Sequence, residues 1–489
     1  MVAGVTAIGF LAARWRQANL ANLEQWALGG RGFGTIVSWF LIGGDCYTAY
    51  TFIAVPALVY GVGALGFFAV PVSTLVYPIV FVVLARFYGV ARRRGYVTMA
   101  DFVRDRFGDR TLEIAIALTG VVALMPYVAL QLVGMKAVFL QLGGAFETAG
   151  GLPALTVAFV LLAGYTYTSG LRGPAMIAFV KDTLIYVTVI AAVVIIPARL
   201  GGWQHVFAST ARAFSARSHP ASIVLTPQQC FTFATRALGS ALALFLYPNL
   251  ITGVLAASSR NVVRRNAALL PAYGLLLGLL ALLGYCAVAA GIATTDTSSV
   301  MPRLFGRFFP GWFAGVGDAA VVVGALVPAS IMCISAANLF ASNVCCEFTP
   351  KRTPLETKIA KAFTLGMCIF GLLAIFFMPV AYAIDFQLLG GCLILQTLPA
   401  FVVGLWSRWF YARALLLGWA CGVAASCAMA YVSHFSPDYT LTLFGTKLTG
   451  FIALYGLAIN FGVAAAATLA LRALRTKYGL DSTVAADYA

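Results

Sequence analysis

Leu41-Ile42-Gly43-Gly44-Asp45-Cys46-Tyr47-Thr48-Ala49-Tyr50, followed by Pro56, sits inside an apolar run from about 33 to 62. Crossing the roughly 30 Å hydrocarbon layer of a bilayer takes about 20 residues of helix, so the run is long enough to span. The quoted stretch makes a poor continuous helix. Each Gly costs about 1 kcal/mol relative to Ala in a helix interior, and a carboxylate at that depth needs a partner or a pathway. An unwound backbone there frees carbonyls for a cation and amides for an anion. The competing reading is a tight Gly-Gly helix contact with Asp45 hydrogen-bonded to a neighbour. The broken helix is favoured, and the rest of the chain supplies its context.

The chain has 489 residues, 61% hydrophobic and only 10% charged, whereas soluble domains carry about 25% charged residues. So few charges do not cover a water-exposed surface, and the composition predicts an all-α membrane protein surrounded by lipid bilayer. About thirteen transmembrane helices are expected, at 1–15, 33–62, 64–88, 113–141, 152–171, 174–199, 237–258, 266–291, 314–345, 358–380, 384–406, 412–431 and 449–472. The first is short: Met1 to Ala13 offers about 20 Å of helix. Either this helix is partial or the sequence begins inside it. A cleaved signal peptide fits poorly, because Arg14 and Arg16 follow the apolar run instead of preceding it.

A net charge of +16 would point to nucleic acid in a soluble protein. Here it comes from Lys and Arg on alternate connections, so no nucleic-acid partner is expected. Arg31, the Arg86–Arg110 loop, Arg172, Arg260, Lys351, Lys358, Arg408, Arg413 and Arg472 share one side, while the other side holds few basic residues. This predicts a multi-pass protein of the cell inner (plasma) membrane, N-terminus outside and C-terminus cytoplasmic. The oligomeric state is unknown from sequence. The ten Cys lack metal-site spacing, and Cys345-Cys346 are adjacent; most read as small apolar side chains.

The organisation follows from the runs. Residues 1–32 form a short first helix and a cytoplasmic connection, 33–200 a first five-helix repeat and 201–236 an outer loop. Residues 237–406 form a second five-helix repeat, and 407–489 two additional helices and a short cytoplasmic tail. In the outer loop Trp203, Phe207 and Phe214 alternate with polar residues, as in a helix lying on a membrane surface.

Catalytic signals are lacking, so no enzyme is expected. His205, His219 and His434 are far apart in outer connections, with no HExxH or GxSxG pairing. The run Gly29-Gly30-Arg31-Gly32-Phe33-Gly34 lacks the strand and Lys-Ser/Thr of a phosphate loop. The informative residues are polar groups inside spans. Pro248, in Phe245-Leu246-Tyr247-Pro248-Asn249-Leu250, interrupts the seventh span. The second and seventh spans each open a set of five, and interrupted helices at matching places in two halves point to a transport site between inverted repeats. The ninth span carries small and hydroxyl residues from Pro328 to Asn338, fit for close packing or for ion ligands. The sixth holds Lys181-Asp182. Adjacent residues on a helix do not face each other, so separate partners are expected. Lys136, Asp318 and Asp385 are lesser candidates.

Three patterns resemble the solute:sodium symporter family: Thr98-Met99-Ala100-Asp101-Phe102-Val103-Arg104-Asp105-Arg106-Phe107-Gly108, Ser169-Gly170-Leu171-Arg172-Gly173 followed by Lys181-Asp182, and Pro328 to Asn338. Gly44 to Pro56, Tyr247 to Leu255 and Leu395-Gln396-Thr397-Leu398-Pro399-Ala400 are similar to its monocarboxylate permease branch. The resemblance implies a 5+5 inverted-repeat, leucine-transporter-type fold. It also implies symport of small monocarboxylates, of the lactate, pyruvate or propionate type, driven by a cation gradient. The alternatives are another small organic solute, or a solute sensor on the same fold; a sensor would carry a signalling domain, for which the stretch after Leu474 is too short.

Carried over residue by residue, the family's sodium ligands fall on the carbonyls of Gly44, Tyr47 and Ser330 and on the side chains of Cys333 and Ile334. Ile334 has no ligand atom, and a thiol is a soft donor to a hard cation. Asp45 supplies the alternative, because desolvation disfavours the charged form of a carboxylic acid and makes it a candidate proton carrier. Na+ or H+ is therefore the expected coupling ion, with no other cofactor or metal. Thr48, Gln131, Lys136, Tyr247 and Asn249 are the candidate substrate-binding side chains, with helix-end amides as further donors. Asp182 is the candidate for gating or the ion path.

Overall fold

A computed structural model describes residues 2–12, 20–46, 48, 50–143, 151–217, 221–345, 353–377, 383–443 and 445–488. Tyr47, with Arg14, Arg16, His219, Cys346 and Lys351, lies outside the described residues.

The apolar runs fold as helices in the expected order. They are α1 (Val2–Leu11), α2 (Thr35–Cys46), α3 (Val55–Val62), α4 (Ala64–Arg94), α5 (Arg110–Leu142), α6 (Leu152–Ser169) and α7 (Arg172–Arg199). Next come α8 (Trp203–Ser215), α9 (Pro227–Leu244), α10 (Pro248–Leu255), α11 (Arg260–Ala289), α12 (Gly311–Cys345), α13 (Pro354–Phe377) and α14 (Asp385–Trp406). The last two long helices are α15 (Ala412–Val432) and α16 (Ile452–Ala473). Among the described residues, 10 helices are long and apolar enough to cross a membrane, and the bent pair α9–α10 makes up to 11. The expected thirteen is therefore not reached on length and composition. The shortfall lies in α1, with 10 residues, and in the divided α2/α3.

Burial sorts the helices. The apolar stretch of α12 is 94% buried, against 28% for α15 and 39% for α6, α7, α13 and α16. α12 is thus the centre and these others form the rim. On α7, Val187, Ile190 and Val194 lie on one face and are each more than half exposed. An apolar face of that kind is stable against hydrocarbon, not water.

Both interruptions have local causes. In the first, helix continues through Gly43 and Gly44 to Cys46, and the break falls after it. This corrects the expectation that the glycines themselves unwind. They serve the close-packing reading: a Cβ at Gly43 would sit 2.5 Å from Cζ of Tyr273, and one at Gly44 3.1 Å from Nζ of Lys181. Beyond the break, the Thr48 amide donates to Oγ1 of Thr51 (2.9 Å), and a π-turn over Tyr50–Ala54 leads into α3 with Pro56 in its first turn. In the second interruption, Tyr247 is extended and Pro248 starts α10, bending the pair by 47°. Proline lacks the amide that would continue α9, and its fixed φ suits a helix start.

The connection after α4 explains one sequence pattern. Thr98 and Asp101 form a reciprocal capping box for the helix Met99–Phe107. Asn343, at the end of α12, donates to Asp101 Oδ1 and to Glu113 Oε1 (2.8 Å each), and its Oδ1 accepts from Thr98 Oγ1 (2.7 Å). The loop is thereby fixed to the central helix.

On the opposite side, α8 buries Val206, Thr210 and Phe214, and the Thr210 hydroxyl donates to the Tyr285 carbonyl (3.0 Å). A helix forms in this connection, as expected, and it packs on α11. A β-hairpin, β1 (Asp438–Leu443) and β2 (Thr446–Phe451), separates α15 from α16, and its Asp438 holds Arg236 through both carboxylate oxygens. The sequence reading missed this hairpin.

The tail folds back on the loop after α4. Asp481 meets Arg106 (2.9 Å), Asp487 meets Arg94 (2.6 Å), and the Ser482 amide donates to the Asp105 carbonyl (2.8 Å). The hydrogen bond from Arg94 holds the Asp487 carboxyl below its usual range. Its contribution is therefore complete above the unfolded value of about 4 and is lost as pH falls through the lower folded value. The tail is expected to stay docked at neutral pH and to loosen only in strong acid. Asp487→Asn should speed amide exchange over 481–488 at pH 7; equal exchange in both proteins would refute the role given to this pair.

Candidate ion and substrate site

Three buried charges meet at the first break. Lys181 (α7), Asp182 (α7) and Asp45 (α2) are 0%, 1% and 5% exposed. Nζ of Lys181 donates to the Gly44 carbonyl and lies 3.0 Å from Oδ1 of Asp182. The hydroxyl of Tyr273, from α11, donates to Oδ2 of Asp182 (3.2 Å). Nδ2 of Asn249, in the first turn of α10, donates to Oδ2 of Asp45 (2.7 Å). Oδ1 of Asp45 and Oδ1 of Asn249 are buried with no hydrogen-bond partner among the described residues. The Asp45–Asn249 bond thus joins the two interrupted helices directly.

Lys181 and Asp182 depart from expectation in one respect. They have separate partners, the Gly44 carbonyl and Tyr273, but they also touch each other. A lysine stem has four flexible carbons, so its ammonium can swing back to a neighbour that a rigid side chain would miss.

The other expected ion ligands sit on α12. Ser330 Oγ bonds its own Val327 carbonyl (2.8 Å) and lies 3.5 Å from the Tyr165 hydroxyl. Cys333 faces Cys368, with sulfurs 3.9 Å apart. Ile334 is fully buried and brings no donor atom. The residues present make a poor oxygen cage for a hard cation.

A cavity lies between the two breaks and the hairpin. Thr51, Ser73, Tyr127, Ser240, Tyr247 and Gln387 give it polar atoms, and its apolar wall includes Leu277 and Phe451. Tyr247 packs edge-on against Tyr127, at 5.5 Å between ring centres, and its hydroxyl donates to the Gln387 carbonyl (3.3 Å). Oγ of Ser240 and Oε1 of Gln387 are buried with no hydrogen-bond partner among the described residues.

Of the five candidate substrate residues, only Tyr247 lines this cavity. Thr48 and Asn249 are buried at the breaks. Gln131 is buried on α5 and donates to the Tyr127 carbonyl (3.3 Å). Lys136 is half-buried further along α5. Sequence reasoning missed Ser73, Ser240 and Gln387, since single polar residues in an apolar span carry no local signal. Thr51 was within reach: it lies in the quoted family stretch, one turn past Thr48.

Two interrupted helices, a polar cluster between them and an adjoining cavity define a membrane transporter of the inverted-repeat class. The comparisons agree. The model of the sodium:solute symporter family matches residues 26–406, and the chain belongs to that family. A monocarboxylate transport permease protein of Rhizobium johnstonii is 50% identical over 463 residues, covering 94% of this chain and 93% of the relative. The uncharacterised symporter YodF of Bacillus subtilis is 32% identical, covering 87% and 85%. Among solved structures, a Na+-coupled sialic acid symporter in a substrate-bound outward-open state shares the fold, with a TM-score of 0.76 at 16% identity over 97% of this chain and 95% of that one. Family and fold are those of multi-pass secondary transporters, which are not enzymes.

Proposed function

We propose that this chain is a symporter that takes up small monocarboxylates, of the lactate, pyruvate or propionate type, driven by an inward cation gradient. The cavity carries this reading. Thr51 comes from one break and Tyr247 from the other, so a solute bound between them is felt by both interrupted helices. The Ser240 hydroxyl, with no hydrogen-bond partner among the described residues, is a donor suited to a carboxylate; the Ser73 and Tyr247 hydroxyls would turn to it from the Val70 and Gln387 carbonyls, and Leu277 and Phe451 suit a short apolar remainder. Among the described residues the lining includes no Lys or Arg, so a co-transported cation would balance the substrate's charge. The 50% identical relative named as a monocarboxylate permease points the same way.

In this reading Tyr247 touches the solute, Asn249 and Thr48 hold the breaks, and Gln131 and Lys136 act from α5. Gly44, Asp45, Ser330 and Cys333 form the ion side, and Asp182 stands on the ion path. Residues 33–200 and 237–406 move as the two repeats. The excess of Lys and Arg on alternate loops supports a cytoplasmic C-terminus in the inner membrane.

The test is uptake of labelled lactate, pyruvate, propionate, a dicarboxylate and a neutral amino acid into proteoliposomes. Saturable uptake confined to the monocarboxylates is expected. Ser240→Ala should raise KM about tenfold, the worth of one hydrogen bond to a charged group. Uptake of the neutral solute alone would end the carboxylate reading.

A further inference from the structure

Resting on that reading, we infer that Lys181 is a tethered cation that takes the place of a sodium ion at the first helix break, leaving the proton as the transported ion, taken up at Asp45.

In a continuous helix the Gly44 carbonyl would accept from the amide four residues on, Thr48. That amide is bonded to Oγ1 of Thr51 instead, so among the described residues the carbonyl has no backbone donor at the end of α2. Such an end carries partial negative charge and attracts a cation. Nζ of Lys181 already donates to it, fully buried. Gly44 is part of the arrangement, because any side chain there would crowd the ammonium at 3.1 Å. A sodium ion at this carbonyl would have to displace a positive charge fixed to α7. The α12 positions that would complete its shell, Cys333 and Ile334, offer no hard oxygen.

Charge counting assigns the proton. With Lys181 positive and Asp45 and Asp182 negative, the buried cluster carries one net negative charge, which is costly at membrane depth. One proton neutralises it. Asp182 is held on both sides, by Lys181 and Tyr273. Asp45 keeps one oxygen, Oδ1, without a hydrogen-bond partner among the described residues. A proton arriving from outside forms an O–H bond at that atom. Release on the other side restores the carboxylate, and the Lys181 ammonium stays protonated throughout.

Among the described residues, few titratable groups surround Lys181. Asp182 comes from its own helix, Asp45 from α2, and Tyr273 from α11 through Asp182, with Tyr186 hydrogen-bonded to Tyr273. On α12, Asp318 lines a separate apolar cavity with Phe139 and Leu161, and Cys333 faces Cys368. On α6, Tyr165 bonds the Leu326 carbonyl. α1 has no titratable side chain. The helix Val300–Phe308 meets the Arg199 end of α7, where Arg199 bonds the Phe308 carbonyl.

The experiment uses the purified full chain in two formats. Binding of radioactive sodium to the protein in detergent needs no substrate. Uptake of labelled lactate into proteoliposomes is read with a sodium gradient alone and with an acid-outside gradient alone. The wild-type protein is expected to bind no sodium saturably, to ignore replacement of sodium by choline, and to take up lactate at least about fivefold faster with the acid-outside gradient. Lys181→Arg, which keeps the charge, should remain sodium-blind and pH-driven. Lys181→Gln should lose the pH stimulation. Saturable sodium binding by the wild type, uptake that follows sodium and ignores pH, or Lys181→Gln with undiminished pH-driven uptake would each overturn the inference. If Lys181→Gln does not fold, the wild-type and Lys181→Arg measurements still decide. A protein that binds no sodium saturably and moves no monocarboxylate would remove the substrate reading and support this one.

Discussion

Asp45→Asn is expected to abolish uphill accumulation of substrate, lowering concentrative uptake by about 100-fold, while the protein still inserts and elutes as a folded species. The side chains are nearly isosteric, so packing is preserved. What changes is charge: the cluster of Lys181, Asp182 and residue 45 loses its one negative excess, and with it the place where a driving cation is held. The bond that joins α2 to α10 also weakens, since the Asn249 amide would donate to a neutral acceptor instead of a carboxylate. The exchanged double variant, Asp45→Asn with Asn249→Asp, restores both the pair and the charge count. It should recover part of the activity lost by either single change. Uptake by Asp45→Asn within twofold of the wild type would show that this carboxylate takes no part in coupling, and no recovery in the exchanged variant would show that position matters more than charge.

Gly170→Ala is expected to have the largest effect on stability, about 3 to 5 kcal/mol, combining backbone strain with a steric clash. Gly170 ends α6 at φ 57° and ψ −145°, a conformation open to Gly alone. A Cβ there would lie 2.2 Å from the Trp26 carbonyl oxygen, which accepts from the Leu171 amide at 2.9 Å. The obstacle is backbone, so no rotamer change relieves it. The same turn is tied by Arg172 to Gln25 (2.9 Å), so its distortion would spread to the segment before α2. Total stabilities run to about 5–15 kcal/mol, so the variant should yield little folded protein and melt far below the wild type. Gly366→Ala is the control, because nothing lies within 4 Å of a Cβ at that helical position. It should be neutral or slightly stabilising. Equal melting of Gly170→Ala and the wild type would show that this turn relaxes without cost.

These expectations show which parts of the site were open to sequence reading. Pro248 announced the second break, because a missing amide is a covalent fact visible in the chain. Gly170 was visible as part of a family pattern, but its cause was not: the Trp26 carbonyl is 144 residues away in sequence and only the fold brings it near. The first break was found but misplaced by a few residues. Two glycines weaken a helix on propensity alone, yet here the ring of Tyr273 and the ammonium of Lys181 fill the space they leave, and tertiary packing overrides propensity. Ser240 and Gln387 gave no signal at all. A lone serine in a span usually returns its hydroxyl to its own backbone, and only the cavity shows that this one does not.

Three properties were legible in the chain before any folding: its place in a bilayer, the order of its helices and the pairing of two interrupted spans. Those properties depend on local chemistry: apolar length against hydrocarbon thickness, and a proline that cannot donate. Tertiary structure alone decided what the polar residues inside the spans do. Asp45 meets Asn249 across 204 positions of chain, and Lys181 reaches Gly44 across 137. A buried charge is satisfied by whichever group the packed helices bring within about 3 Å, and no spacing rule within one helix encodes that distance.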